Sequence, residues 1–312
     1  MAALTVLVPL DGSAVAEAAL PYAEAAALAT GSALRLFAVA ETGQGWPAAV
    51  SDAAHDARLA GQRQALDDYL HGLCPPLAAR GVAASVLLAQ GDPVEQILAA
   101  AADPEVALVV MATHGRSGLE RWYLGSVADK VMRLVERPIL LITPAAVGEE
   151  GQAAPAVRFA HIAVPLDGSS LAEAALPAAE ELAAATGGAI TLVRVQPWLV
   201  TATMPYPYVP ELGELETQIE AADQAYLATV AARLRPGIAV DVVLLRGTPS
   251  GALLEYFAAN RPDLVVMTTH GRGGLQRLVL GSTADRLVRA GLPVLLLRDT
   301  LPPIAGEAAT SG

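Results

Sequence analysis

Two long stretches of this chain are written twice. VLVPLDGSAVAEAALPYAEA, beginning at Val6, returns as IAVPLDGSSLAEAALPAAEE at Ile162, and LVVMATHGRSGLERWYLGSVADKVMRLVERPILLI, beginning at Leu108, returns as LVVMTTHGRGGLQRLVLGSTADRLVRAGLPVLLLR at Leu264. Both pairs stand 156 residues apart. A single offset held across so long a unit means a duplicated domain rather than an array of short repeats. A chain of 312 residues divides comfortably into two such units, each large enough to bury a core of its own. The expected division is a first domain over residues 1–146, a linker over 147–158, a second domain over 159–300, and a disordered tail over 301–312.

Within one copy, apolar runs alternate with helical patterns. Leu4–Leu10 is a β-rich run closed by Asp11-Gly12-Ser13, and an alanine-rich helix follows to about Thr30, with Gly31 as its stop. Leu34–Ala40 is a second strand. A loop with Gly43, Gly45 and Pro47 leads into a long helix ending near Ala79. Val82–Ala89 is the third strand; Gly91-Asp92-Pro93 then opens a helix with Asp92 as its cap and Pro93 at its first position. Leu108–Ala112 and Ile139–Thr143 are the fourth and fifth strands, with one more helix between them. Strands that are apolar on both faces and alternate with helices require a parallel sheet covered on both sides, joined by right-handed crossovers. The expected fold class is therefore α/β: two doubly wound parallel-sheet domains of about five strands each.

Composition narrows the partners. The chain is 54% hydrophobic but only 4% aromatic, so its cores are built from Ala, Val and Leu. No apolar run approaches the roughly 18 residues that a membrane span needs, and the N-terminus lacks the basic region of a secretory signal. Cys74 is the single cysteine, which rules out an intramolecular disulfide and suits a reducing, cytoplasmic setting. A net charge of −12 repels nucleic acid and anionic membrane over most of the surface, but it leaves room for one nucleotide in a locally favourable pocket.

Open parallel sheets take their ligands beyond the carboxyl ends of the strands, where strand order reverses. The residues to consider therefore follow the first and fourth strands: Pro9 and Asp11 with Ala112 to Gly118, and Pro165 and Asp167 with Thr268 to Gly274. Gly115 and Gly118, like Gly271 and Gly274, let the backbone approach a ligand. Gly125-Ser126 and Gly281-Ser282 open helices, placing free N–H groups where a phosphate is favoured. Arg116 and Arg272 add local positive charge, and the aspartates are placed to accept from ribose hydroxyls or to help hold a metal.

The spacing Gly-x9-Gly-Ser after Thr-His-Gly-Arg, with Pro-x-Asp after the first strand, resembles the universal stress protein family, over nearly the whole chain and twice. The resemblance implies a Rossmann-like domain of the adenine nucleotide alpha hydrolase-like class that binds ATP (or ADP or AMP), with Mg²⁺ as a companion ion, and serves a regulatory role under stress. By this similarity the phosphates fall on Gly115, Gly125, Ser126 and Val127, and on Gly271, Gly281, Ser282 and Thr283. The adenosine falls on Pro9, Asp11 and Val39, and on Pro165, Asp167 and Val195. The family's ATP-binding loop begins Gly-x2-Gly; the first of those glycines is Ala112 in one copy and the bulkier, β-branched Thr268 in the other. The two domains are expected to pack as a pseudo-dimer, and two chains to associate further as a homodimer.

Plainer readings stand beside these. Ser126-Val127-Ala128-Asp129 and Ser282-Thr283-Ala284-Asp285 fit capping-box spacing, Asp-Gly is ordinary turn chemistry, and His114 and His270 suit structural hydrogen bonds. No GxxxxGK[ST] loop is present, so the alternatives to a nucleotide-binding regulator are a slow ATPase and a ligand-free interaction module.

Overall fold

The computed structural model describes residues 4–41, 52–113, 125–143, 157–197, 210–269 and 281–298. The first copy runs β1 (Thr5–Pro9), α1 (Ala14–Glu17), α2 (Leu20–Thr30), β2 (Ala33–Ala40), α3 (Asp52–Ala79), β3 (Ala84–Gln90), α4 (Pro93–Ala101), β4 (Val106–Ala112), α5 (Ser126–Leu134) and β5 (Ile139–Ile142). The second repeats the order: β6 (His161–Leu166), α6 (Ser170–Glu173), α7 (Leu176–Thr186), β7 (Ala189–Gln196), α8 (Pro210–Arg233), β8 (Ala239–Arg246), α9 (Pro249–Ala259), β9 (Leu264–Thr269), α10 (Ser282–Arg289) and β10 (Val294–Arg298). Each copy is the α/β unit that the alternation predicts. The tail, the linker before residue 157 and the loop holding Gly43, Gly45 and Pro47 lie outside the described residues.

Strand order is β3-β2-β1-β4-β5-β10-β9-β6-β7-β8. All neighbours within a copy are parallel, whereas β5 meets β10 antiparallel, with Leu140 opposite Leu295. Side chains alternate across the sheet. Val6, Val8, Leu34 and Leu36 enter the layer under α2 and α3, while Leu7, Phe37, Val109 and Met111 enter the layer under α4 and α5. Burial on both faces explains why these strands read as unbroken apolar runs.

One expectation is corrected. The single helix drawn from Asp11-Gly12-Ser13 to Thr30 is two helices, because Pro21 has no N–H to donate to the carbonyl four residues back. The chain tightens there into shorter-range bonds, Ala18 N–H to Val15 O and Ala19 N–H to Ala16 O. Pro177 divides α6 from α7 in the same way. The expected stop at Gly31 is present, with φ of 66°, and Asp92 caps α4 by accepting from Val94 N and Glu95 N at 2.9 and 3.1 Å.

Candidate functional site

Strand order reverses between β1 and β4, since β1 carries β2 on one side and β4 on the other. The α-helical crossovers thus leave opposite faces of the sheet and a crevice opens at the strand ends. A cavity of about 380 Å³ occupies it. Of the residues expected from the sequence, Pro9, Asp11, Val39, Ala112, Gly125, Ser126 and Val127 line this cavity. Gly115, Arg116 and Gly118 lie outside the described residues, as do Gly271, Arg272 and Gly274. The sequence reading missed what the flanking elements contribute: Ala38 and Glu41 from the end of β2, Gln62 and Leu66 from α3, and Pro93 and Ile97 from α4.

The floor and rim are set locally. Asp11 Oδ1 accepts from Ser13 N–H at 3.0 Å and from Ser13 Oγ–H at 2.5 Å, which fixes the turn after β1. Gly12 takes φ of 78° in that turn, a left-handed conformation that a side chain would disfavour. Across the crevice, Gly125 N–H donates to Thr113 O at 2.6 Å, closing the ends of the glycine loop onto each other. Gly125 itself is the N-cap of α5, with φ −57° and ψ 142°, and no side chain among the described residues caps the helix. The capping-box alternative for Ser126 is therefore corrected: Ser126 is the first helical residue, and Asp129 turns to Arg133 at 3.0 Å. The first N–H groups of a helix have no partner within it. Ser126, Val127 and Ala128 all border the cavity, so the positive end of the α5 dipole faces the space. Among the described residues no cluster of three His, Cys, Asp or Glu side chains that could hold a metal ion is found.

The second copy keeps the backbone and changes the lining. Gly281 is the uncapped N-cap of α10, with Ser282 and Thr283 following, and Asp167 Oδ1 accepts from Ser169 N–H and Oγ–H at 2.9 and 2.6 Å. Pro165 and Val195 stand at the ends of β6 and β7. Thr268, in the place of Ala112, donates through Oγ1 to Leu171 O of α6 at 2.8 Å. Arg194 stands where the first copy has Ala38. Its Nε lies 2.6 Å from Asp223 Oδ1 and its guanidinium 5.0 Å from the centre of the Tyr226 ring. Burial raises the Asp167 carboxyl pKa, but hydrogen bonds from Ser169 and the Arg194 charge outweigh it and hold the group below the ordinary carboxylate value. Two buried atoms at this end of β7, Arg194 Nη1 and Gln196 Oε1, have no hydrogen-bond partner among the described residues; the matching positions in β2 are Ala38 and Ala40. A residue-by-residue comparison of the two copies carries this signal, but the long helices are out of step by one residue, which hides the Leu66–Asp223 match.

The family model for "Universal stress protein family" matches residues 4–143 and again 158–298. Universal stress protein Rv2005c of Mycobacterium tuberculosis is 28% identical over 197 residues, covering 63% of this chain and 63% of that protein. The match thus spans less than two thirds of that relative's own length. Universal stress protein MJ0531 of Methanocaldococcus jannaschii is 30% identical over 146 residues, 45% of this chain and 82% of that protein. In fold, the chain is similar to a universal stress protein from Archaeoglobus fulgidus, with a TM-score of 0.66 at 21% identity over 94% of this chain and 98% of that one. No helix among the described residues is long and apolar enough to cross a membrane. With its family model matched twice over almost the full length, the chain belongs to the universal stress protein family and carries that family's domain in tandem.

Proposed function

We propose that the protein binds an adenine nucleotide, ATP, ADP or AMP, in its first copy and acts as a cytoplasmic regulator in a stress response rather than as an efficient enzyme. One observation carries the reading: the 380 Å³ cavity at the switch point ends on the uncapped N-terminus of α5. Its volume falls within the roughly 300–1,000 Å³ usual for small-ligand sites. Aliphatic walls from Val39, Leu66 and Ile97 suit a base. Asp11 is placed for ribose hydroxyls, and the Ser126, Val127 and Ala128 N–H groups for phosphate oxygens. Gly115, Arg116 and Gly118 would complete the phosphate side, and Mg²⁺ would enter with the phosphates. Pairing β5 with β10 makes the two copies a pseudo-dimer in one chain, and a homodimer of such chains is the further assembly.

Calorimetric titration of nucleotide-stripped protein with ATP and Mg²⁺ tests the reading. Wild type is expected to bind, and Gly125→Val to lose that binding while keeping its far-ultraviolet circular dichroism. Absence of uptake for ATP, ADP and AMP at millimolar concentration would overturn it in favour of an interaction module.

A further inference from the structure

The two long helices fix which residues of the copies correspond. Tyr69 of α3 donates to Glu17 at 3.0 Å, and Tyr226 of α8 donates to Glu173 at 3.0 Å. Three residues before these tyrosines stand Leu66 and Asp223. On the neighbouring strand stand Ala38 and Arg194. An apolar pair in the first copy has thus become an ion pair in the second, at one place in the fold.

That place borders the site. Ala38 and Leu66 line the first copy's nucleotide cavity, and Leu66 also lines an adjoining space of about 210 Å³ between Gly12 and Tyr69. In the second copy the Arg194 guanidinium reaches into the corresponding space: a Cβ built on Gly168, the counterpart of Gly12, would lie 2.7 Å from its Nη1. Nε is held by Asp223 at 2.6 Å, and the planar group lies over Tyr226. We propose that the Arg194–Asp223 pair closes the second copy to nucleoside, so that each chain holds one nucleotide, in the first copy. The inference rests on the nucleotide reading of the first copy.

Physical grounds favour closure over a purely stabilising role. The pair is largely buried, and Nη1 has no hydrogen-bond partner among the described residues, so within them its desolvation is incompletely offset. A neutral base entering here has to displace a guanidinium that is paired, stacked and largely buried, and it offers no charge in return. Removing one partner alone strands the other, so the two have to be changed together.

The number of ADP molecules bound per chain, measured by equilibrium dialysis, tests the proposal. Wild type is expected to bind one, and Arg194→Ala/Asp223→Leu, which installs the first copy's pair, to bind two, the second being lost on adding Gly281→Val. The reciprocal Ala38→Arg/Leu66→Asp is expected to bring wild type's one to none, and it serves where the first variant does not fold. Two ADP per wild-type chain, or a folded Arg194→Ala/Asp223→Leu protein that still binds one, would overturn closure. If wild type binds none, the nucleotide reading of the first copy fails by itself. Closure is then upheld by a single Gly281-dependent site in Arg194→Ala/Asp223→Leu and overturned by its absence.

Discussion

Arg298, the last residue of β10 in the second copy, donates through Nη2 to the carbonyl oxygen of Met132 in α5 of the first copy at 3.0 Å. The same guanidinium reaches Arg133 O at 3.0 Å and Val135 O at 3.1 Å. The last carbonyls of a helix have no partner within it, and a cation there also opposes the negative end of its dipole. One domain thus finishes a helix of the other, and it is the helix whose opposite end opens on the cavity. Arg298→Ala is expected to destabilise the protein by about 1.5–3 kcal/mol, the range for hydrogen bonds to a charged group. Arg298→Lys should recover only part of this, since a compact ammonium lacks the planar, spread donors that meet these three carbonyls. Denaturant unfolding checks both, and an unchanged midpoint for Arg298→Ala would show that the cross-domain cap contributes nothing.

Tyr226 offers a spectroscopic handle on the second copy. Burial above all, then its hydrogen bond to Glu173, pushes its hydroxyl up to about 12 from 10.0. A raised folded-state value means that the contribution to stability is present below pH 10 and is lost as pH rises from about 10 to about 12. An ultraviolet absorbance titration of wild type minus Tyr226→Phe should show one phenol ionising near the upper end of that window. Glu173→Gln should move it downward, because the carboxylate that accepts the proton's hydrogen bond is gone. A difference curve centred at 10 would contradict the buried geometry.

Gly188 separates the two copies in another way. A Cβ there would run into Phe159 O and sit 3.2 Å from Ala160 O, both backbone atoms of the segment entering β6. The first copy has Ser32 at the same place. Gly188→Ala is therefore expected to cost about 1–3 kcal/mol as an overpacked site. Gly61→Ala, within α3 and with nothing within 4 Å of the added carbon, should stabilise by about 0.5–1 kcal/mol. Thermal unfolding of the two variants should move in opposite directions; a shared direction would refute the steric argument.

What could be read from the sequence follows from how far each determinant acts. Strands β1, β4 and β5 were legible because both of their faces are buried, and Gly31 and Asp92-Pro93 because caps act over one turn. Pro21 was in plain view, but its effect on the helix is local and was outweighed by the alanine-rich pattern around it. On the site, Pro9, Asp11 and Gly125 follow from the switch-point rule. Leu66, Gln62 and Pro93 do not, because their part depends on how α3 and α4 lean over the strand ends. Arg194 and Asp223 look like surface charges when taken singly; only tertiary packing makes them a pair.

Gly125 allows the structural and ligand roles of the α5 N-terminus to be pulled apart. Its φ of −57° and ψ of 142° are open to any residue, so the glycine is not demanded by the backbone at this point. An aspartate there would supply the missing cap, worth a few tenths of a kcal/mol over glycine, together with a favourable charge at the positive end of the helix. The same carboxylate would occupy the N–H groups proposed for phosphate and repel its charge. Gly125→Asp is thus expected to raise the unfolding midpoint while lowering ADP affinity at least tenfold, a loss of about 1.4 kcal/mol. Gly281→Asp should raise stability and leave binding as it is, because closure of the second copy removes that site from use. Unfolding followed by calorimetric titration of each variant provides the check. If Gly125→Asp binds ADP as wild type does, the phosphates do not rest on α5; if Gly281→Asp weakens binding, the second copy is open after all.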